Sequence, residues 1–127
     1  MARWLLLLCL LLAGCGADDP AGAPGPATSL LVTVDDDGRG PDAPKELRVR
    51  CDQGRVDDAC EDVANMPPGA WEPVRPRQVC TDIFGGPETA RVMGTLAGAH
   101  LTARFSRQNG CEIARWQLAA PLLDRVL

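Results

Sequence analysis

The chain has 127 residues, which limits it to one modest domain plus appendages. With 13 basic against 17 acidic residues and a net charge of −4, it lacks the basic face that phosphate contacts need, which argues against a nucleic-acid partner. His100 is the only histidine, so few donor sets for zinc or for acid–base catalysis exist.

The chain begins MARWLLLLCLLLAGCG. Arg3 supplies a short positive region, and Trp4 to Leu12 is an apolar run of nine residues, too short for a permanent membrane span but suited to a secretory signal. The run closes on Leu12-Ala13-Gly14-Cys15, which resembles the bacterial lipobox. On this reading residues 1–14 are a lipoprotein signal peptide, and Cys15 becomes a lipidated N-terminus held to the outer face of the cell membrane by several acyl chains. An ordinary signal cleaved nearby, giving a secreted protein with Cys15 unmodified, is the competing reading. Removal of residues 1–14 takes away Arg3 and leaves 12 basic against 17 acidic residues, a net charge of −5. Residues 15–28, rich in Pro, Gly and Ala, read as a disordered tether, and the domain proper spans 29–127.

Export sets the redox compartment. Cys9 leaves with the signal and Cys15 carries lipid, so Cys51, Cys60, Cys80 and Cys111 remain for two disulfides in an oxidising environment. Three pairings are open. A zinc site would need ligand spacings that these cysteines and His100 do not offer, and no metal or cofactor is expected.

Leu30, Val32 and Val34 alternate with Leu31 and Thr33, the signature of a first strand. Asp35, Asp37, Gly40 and Glu46 match places in a calcium loop, but Arg39 occupies a ligand position and Pro41 and Pro44 oppose a following helix, so a solvated turn is expected. Leu47 to Cys51 alternates as a second strand. From Val56 to Met66, Val56, Cys60, Val63 and Met66 share a helical stripe with acidic residues in the first turn, and Pro67-Pro68-Gly69 ends the helix. Ala70 to Arg77 reads as a Pro-rich connector. Ala90 to Leu96 and Leu101 to Ser106, joined by Ala97-Gly98-Ala99, form a β-hairpin. Asn109-Gly110 is another turn signal, and Ile113 to Leu118 is a last strand or a short helix followed by one. The sum is an α+β two-layer sandwich of about five antiparallel strands with one or two short helices.

SLLVTV, LRVRC, DDACEDVA, VCTDIFGGP and FSRQNGCEIARW, taken in order, resemble the subtilisin inhibitor-like family of actinobacterial serine-protease inhibitors, over roughly Ser29 to Leu118. The resemblance implies the pairs Cys51–Cys60 and Cys80–Cys111. It also implies a substrate-like reactive segment, Val79, Cys80, Thr81, Asp82, Ile83 and Phe84, with the scissile bond at Asp82-Ile83. Its implied partner is a secreted serine protease, subtilisin-like or trypsin-like, and it allows a homodimer through one sheet face, to which Leu31, Met93 and Trp116 could contribute, Trp116 being equally a candidate for the core. The sequence departs from the family at Asp82, since subtilisin-like pockets favour large apolar residues and trypsin-like pockets favour Arg or Lys. Burying an unpaired carboxylate in an apolar pocket costs several kcal/mol. Either the target protease has a basic primary pocket or the loop no longer inhibits strongly, and the alternative function is then a membrane-tethered extracytoplasmic binding lipoprotein that keeps the fold without strong inhibition. Catalysis by the chain itself is not expected, because no Ser or Cys has a second clue tying it to His100.

The lipobox reading carries its own test. In a bacterial host fed radiolabelled palmitate, the chain takes up label and sediments with membranes, and Cys15→Ser abolishes both; a labelled Cys15→Ser variant would refute the assignment.

Overall fold

A computed structural model describes residues 27–39, 43–52 and 57–127. The signal peptide, Cys15, most of the tether, Gly40, Pro41 and Val56 lie outside the described residues. The described elements are strands β1 (Thr28–Asp35) and β2 (Lys45–Cys51), helices α1 (Asp58–Asn65) and α2 (Pro68–Trp71), strands β3 (Thr89–Leu96) and β4 (Ala99–Phe105), and helix α3 (Gly110–Leu123). The strands form one open antiparallel sheet in the order β2-β1-β3-β4.

Alternation in the strands decides which face is covered. Leu30, Val32 and Val34 of β1 are buried, while Leu31 and Thr33 face the other way and are half-buried. The register lines up buried rows across the sheet: Val32 opposes Val92, which opposes Ala103, and Val34 opposes Ala90, which opposes Phe105. Onto these rows pack Trp116, Ala119, Leu122 and Leu123 of α3, Cys60 and Val63 of α1, and Ala70 of α2, so the core lies between one sheet layer and one helical layer. Gly94 permits the central pairing at a place no side chain could occupy: its φ is +143°, and a Cβ there would lie 2.1 Å from the Ser29 carbonyl oxygen.

α1 starts where its cap does. Asp57 is the N-cap, and its side chain accepts from the Cys60 amide at 2.8 Å. The Cys51–Cys60 disulfide then holds this helix to the end of β2, with the two Cα atoms 5.7 Å apart. Arg125 reaches back from beyond α3 to pair with Asp62 and, at 3.8 Å, with Asp58. The hydrogen bond to Asp62, ahead of the charges of Asp58 and Asp57, raises the pKa of Arg125. The first residues of β1 are stitched to the β3–β4 turn, where the Gly98 amide donates to the Ala27 carbonyl at 3.1 Å and the Ala97 amide to Thr28 Oγ1 at 2.9 Å.

Some expectations need correction. Among the described residues the sheet has four strands rather than about five, because Ile113 to Leu118 belongs wholly to α3. Asn109 is the N-cap of that helix rather than a hairpin turn residue, its side chain accepting from the Glu112 amide at 3.0 Å. α1 ends before Pro67-Pro68-Gly69 as read, but Ala70 and Trp71, read as the start of a Pro-rich connector, belong to a second short helix, α2, with Pro68 in its first turn, where a missing amide hydrogen costs nothing. Trp116, offered as part of a self-association face, is 6% exposed and belongs to the core; Leu31 and Met93 remain half-buried on the opposite sheet face. The acidic turn after β1 is organised internally: Asp35 Oδ1 accepts from the Gly38 amide at 2.9 Å, and Asp37 Oδ1 from the Arg39 amide at 3.0 Å.

Leu122 and Leu118 sit on one helix at opposite extremes of burial, 0% and 41% exposed. Leu122→Ala is expected to cost about 2–5 kcal/mol by chemical denaturation, and Leu118→Ala about 0.5 kcal/mol or less. Equal losses would place the core elsewhere.

Candidate functional site

The segment that precedes β3 is built as a tip between two fixed points. It is approached through a turn at Arg75-Pro76-Arg77-Gln78, closed by the Gln78 amide donating to the Arg75 carbonyl at 3.1 Å. Proline precedes Arg77, whose φ of 69° is a conformation that turns usually give to Gly or Asn. Residues 78–86 then form no helix, strand or turn. Val79 is 95% exposed.

The first fixed point is Cys80 and Thr81. Cys80 is bonded to Cys111 in the first turn of α3, with a Cα–Cα distance of 5.4 Å. The Thr81 carbonyl accepts from the Gly110 amide at 2.9 Å. Contact is so close that a Cβ on Gly110 would lie 1.9 Å from Thr81 Oγ1. The second fixed point is Gly85. Its amide donates to the Arg107 carbonyl at 2.7 Å, and a Cβ there would come within 2.9 Å of Ile113 Cδ1.

Between these points stand Asp82, Ile83 and Phe84. All three are exposed, Ile83 at 56% and Phe84 at 69%. Among the described residues no backbone hydrogen bond engages any of them, and the Asp82 carboxylate makes no hydrogen bond or ion pair. An exposed Ile-Phe pair is costly for a free surface unless something covers it. A backbone with unspent donors and acceptors, held at both ends, can pair with the edge of another protein's strand.

The tail after the tip is packed inward. Gly86 has φ +148°, and a Cβ there would lie 2.1 Å from Glu88 Oε2. Glu88 Oε1 accepts from Arg107 Nη1 at 3.1 Å, while Oε2 is buried without a partner. The Arg107 guanidinium in turn lies 6.0 Å from the Trp116 ring centroid. Further along, a Cβ on Gly38 in the β1–β2 turn would fall 2.2 Å from the Pro87 carbonyl oxygen.

All six residues singled out from the sequence, Val79 to Phe84, therefore lie on one stretch, and Cys80 pairs with Cys111 as Cys51 does with Cys60. The bracing side chains and amides of Arg107, Gly110, Ile113 and Glu88 were not singled out. Only the Asn109-x-x-Glu112 capping signature pointed toward a helix start there. The long disulfide ties the tip to α3. Gly85 and Gly86 are required by neighbours on the protein's own side.

His100 opens β4 and is exposed. Among the described residues no group of three or more His, Cys, Asp or Glu side chains could hold a metal ion, and no helix is long and apolar enough to cross a membrane. No family model, curated protein or solved structure matches the chain.

Loop-closure entropy ranks the two disulfides. For a sequence separation of 31, Cys80–Cys111 is worth about 3.5 kcal/mol. For a separation of 9, Cys51–Cys60 is worth about 2.5 kcal/mol. In urea denaturation Cys80→Ala/Cys111→Ala is expected to lose more stability than Cys51→Ala/Cys60→Ala, and limited proteolysis to cut the first variant faster between Cys80 and Gly85. A reversed order would mean that the tip is held without its disulfide.

Proposed function

We propose that the protein inhibits a secreted serine endopeptidase by offering residues 79–84 as a substrate-like segment, in the manner of the subtilisin inhibitor-like family that the sequence resembles. The observation that carries this reading is the pair of fixed points: Thr81 to Gly110 and Gly85 to Arg107, with three exposed and unengaged residues between them.

An ordinary peptide pays about 0.5–1.5 kcal/mol per immobilised side chain on entering a cleft, plus its backbone ordering. A segment already held at Thr81 and Gly85 pays little of this. Its free amides and carbonyls then pair with the cleft edge at full value.

The same fixed points explain why such a segment blocks a protease and is not consumed by it. The protease serine attacks the Asp82 carbonyl carbon, and the bond to the Ile83 nitrogen breaks as that nitrogen takes a proton from the enzyme's general acid. Two chain ends result. The Asp82 acyl end lies one residue from the Thr81 anchor, and the Ile83 amine two residues from the Gly85 anchor. A two-residue span reaches only about 7 Å fully extended. The amine therefore stays beside the acyl-enzyme and reattacks it, expelling the serine oxygen and restoring the peptide bond. Well-oriented intramolecular groups reach effective molarities of about 10⁵ M and more, against which water at the site competes poorly.

The proposal fixes where a cut falls and what holds the product together. Residues 82 and 83 lie between Cys80 and Cys111, so a molecule nicked there stays joined by that disulfide. Incubation of the oxidised protein with trace amounts of several serine endopeptidases should yield a species heavier by one water, which separates on reduction into fragments ending at Asp82 and beginning at Ile83. Rapid cleavage at many bonds, or at none with full protease activity retained, would refute the reading.

A further inference from the structure

The inhibitor reading leaves open which protease is met, and this inference rests on that reading. We infer that the partner is a serine endopeptidase that cleaves after acidic residues, its primary pocket carrying a cationic side chain.

The backbone decides which side chain is offered most deeply. The Thr81 carbonyl is committed to Gly110, and the Gly85 amide to Arg107. Asp82 is the first residue after the disulfide whose own carbonyl is free to be attacked. Its carboxylate is exposed and makes no hydrogen bond or ion pair among the described residues, so it reaches a pocket carrying its full charge. An apolar pocket would strip water from that charge and return nothing, whereas a guanidinium or imidazolium would return charge-assisted hydrogen bonds.

The surroundings agree. Arg75 and Arg77 are exposed on the approach to the tip and form no ion pair among the described residues, and they outnumber Glu72 beside them. The next cation, Arg107, is already paired with Glu88. Beyond the scissile bond the offered side chains, Ile83 and Phe84, are apolar. The surface thus presents one carboxylate at its tip, cations on one side and hydrocarbon on the other. Its complement is a cationic pocket with an acidic margin and an apolar leaving-group side.

Three probes test this: a serine endopeptidase specific for cleavage after Glu or Asp, a subtilisin-type enzyme and a trypsin-type enzyme. Inhibition constants are measured for the full chain, Asp82→Asn and Asp82→Leu, with thermal midpoints confirming that both variants fold. The unsubstituted chain is expected to inhibit the acid-specific enzyme about 100-fold more tightly than the other two, an advantage of the size that a paired over an unpaired buried charge provides. Asp82→Asn is expected to lose at least about tenfold against that enzyme, since it removes the charge and keeps the shape. Asp82→Leu is expected to transfer the preference to the subtilisin-type enzyme. If Asp82→Leu inhibits the subtilisin-type enzyme strongly while the unsubstituted chain ignores the acid-specific one, the cationic pocket is wrong and the inhibitory loop stands. If all three folded proteins leave every probe fully active, the loop reading itself fails and this inference with it.

Discussion

The first turn of α3 is the constraint on which the rest of the site depends. A helix start leaves amide hydrogens without intrahelical partners. Here one of them, on Gly110, is given to the Thr81 carbonyl, and another, on Glu112, to the Asn109 side chain. The same turn supplies Cys111 for the disulfide and Ile113 as the wall against Gly85. One turn of helix thus grips both ends of the exposed segment. Its stiffness is inherited from the core, because Trp116, Ala119, Leu122 and Leu123 of the same helix are buried against the sheet.

Helix α3 is fixed in its turn by a buried cation. Arg115 is only 8% exposed, yet it pairs with Glu112 at 2.9 Å, donates to the Ala70 carbonyl at 3.3 Å and lies 4.7 Å from the Phe105 ring centroid. A charge so placed is tolerable because it is paired with a carboxylate, its Nε also has a partner, and it lies over an aromatic ring. It joins α2, α3 and β4 at one point and lines the same surface cleft as Pro73 and Pro76 of the approach to the tip. The two disulfides divide the work in the same spirit. Cys51–Cys60 holds a helix to the sheet edge, a matter of fold, while Cys80–Cys111 holds the segment that meets the outside.

Much of this was legible in the sequence where the signal is local. Alternation located all four strands, since Leu30, Val32, Val34 and Val49 must share a face and the hairpin pairs nearest neighbours. Helix α1 announced itself through Asp57 and the spacing of Cys60 and Val63. The end of the chain misled for a physical reason. Asn-Gly favours a tight hairpin turn, and a window closed at Leu118 omits Leu122 and Leu123, the residues that reveal the helical period. Pro67-Pro68 misled likewise, because proline ends one helix and begins another with equal ease. The exposed segment could be picked out through the family resemblance. Its supports could not, since Arg107, Gly110 and Ile113 approach it only after the sheet and α3 have formed, and no local pattern encodes that meeting.

The placement of the two chain crossings at the sheet's ends has a geometric consequence. Ala27 and Thr28 are fastened to the β3–β4 turn, whereas the β1–β2 turn at Gly38 touches Pro87, just beyond the tip. The eight residues of β1 separate these places by about 25 Å. The described domain therefore has polarity, with its first described residues at one pole and the exposed segment at the other. The chain upstream of Ala27 thus joins the domain at the pole opposite the exposed segment, so whatever it is attached to leaves that segment unobstructed by the point of attachment.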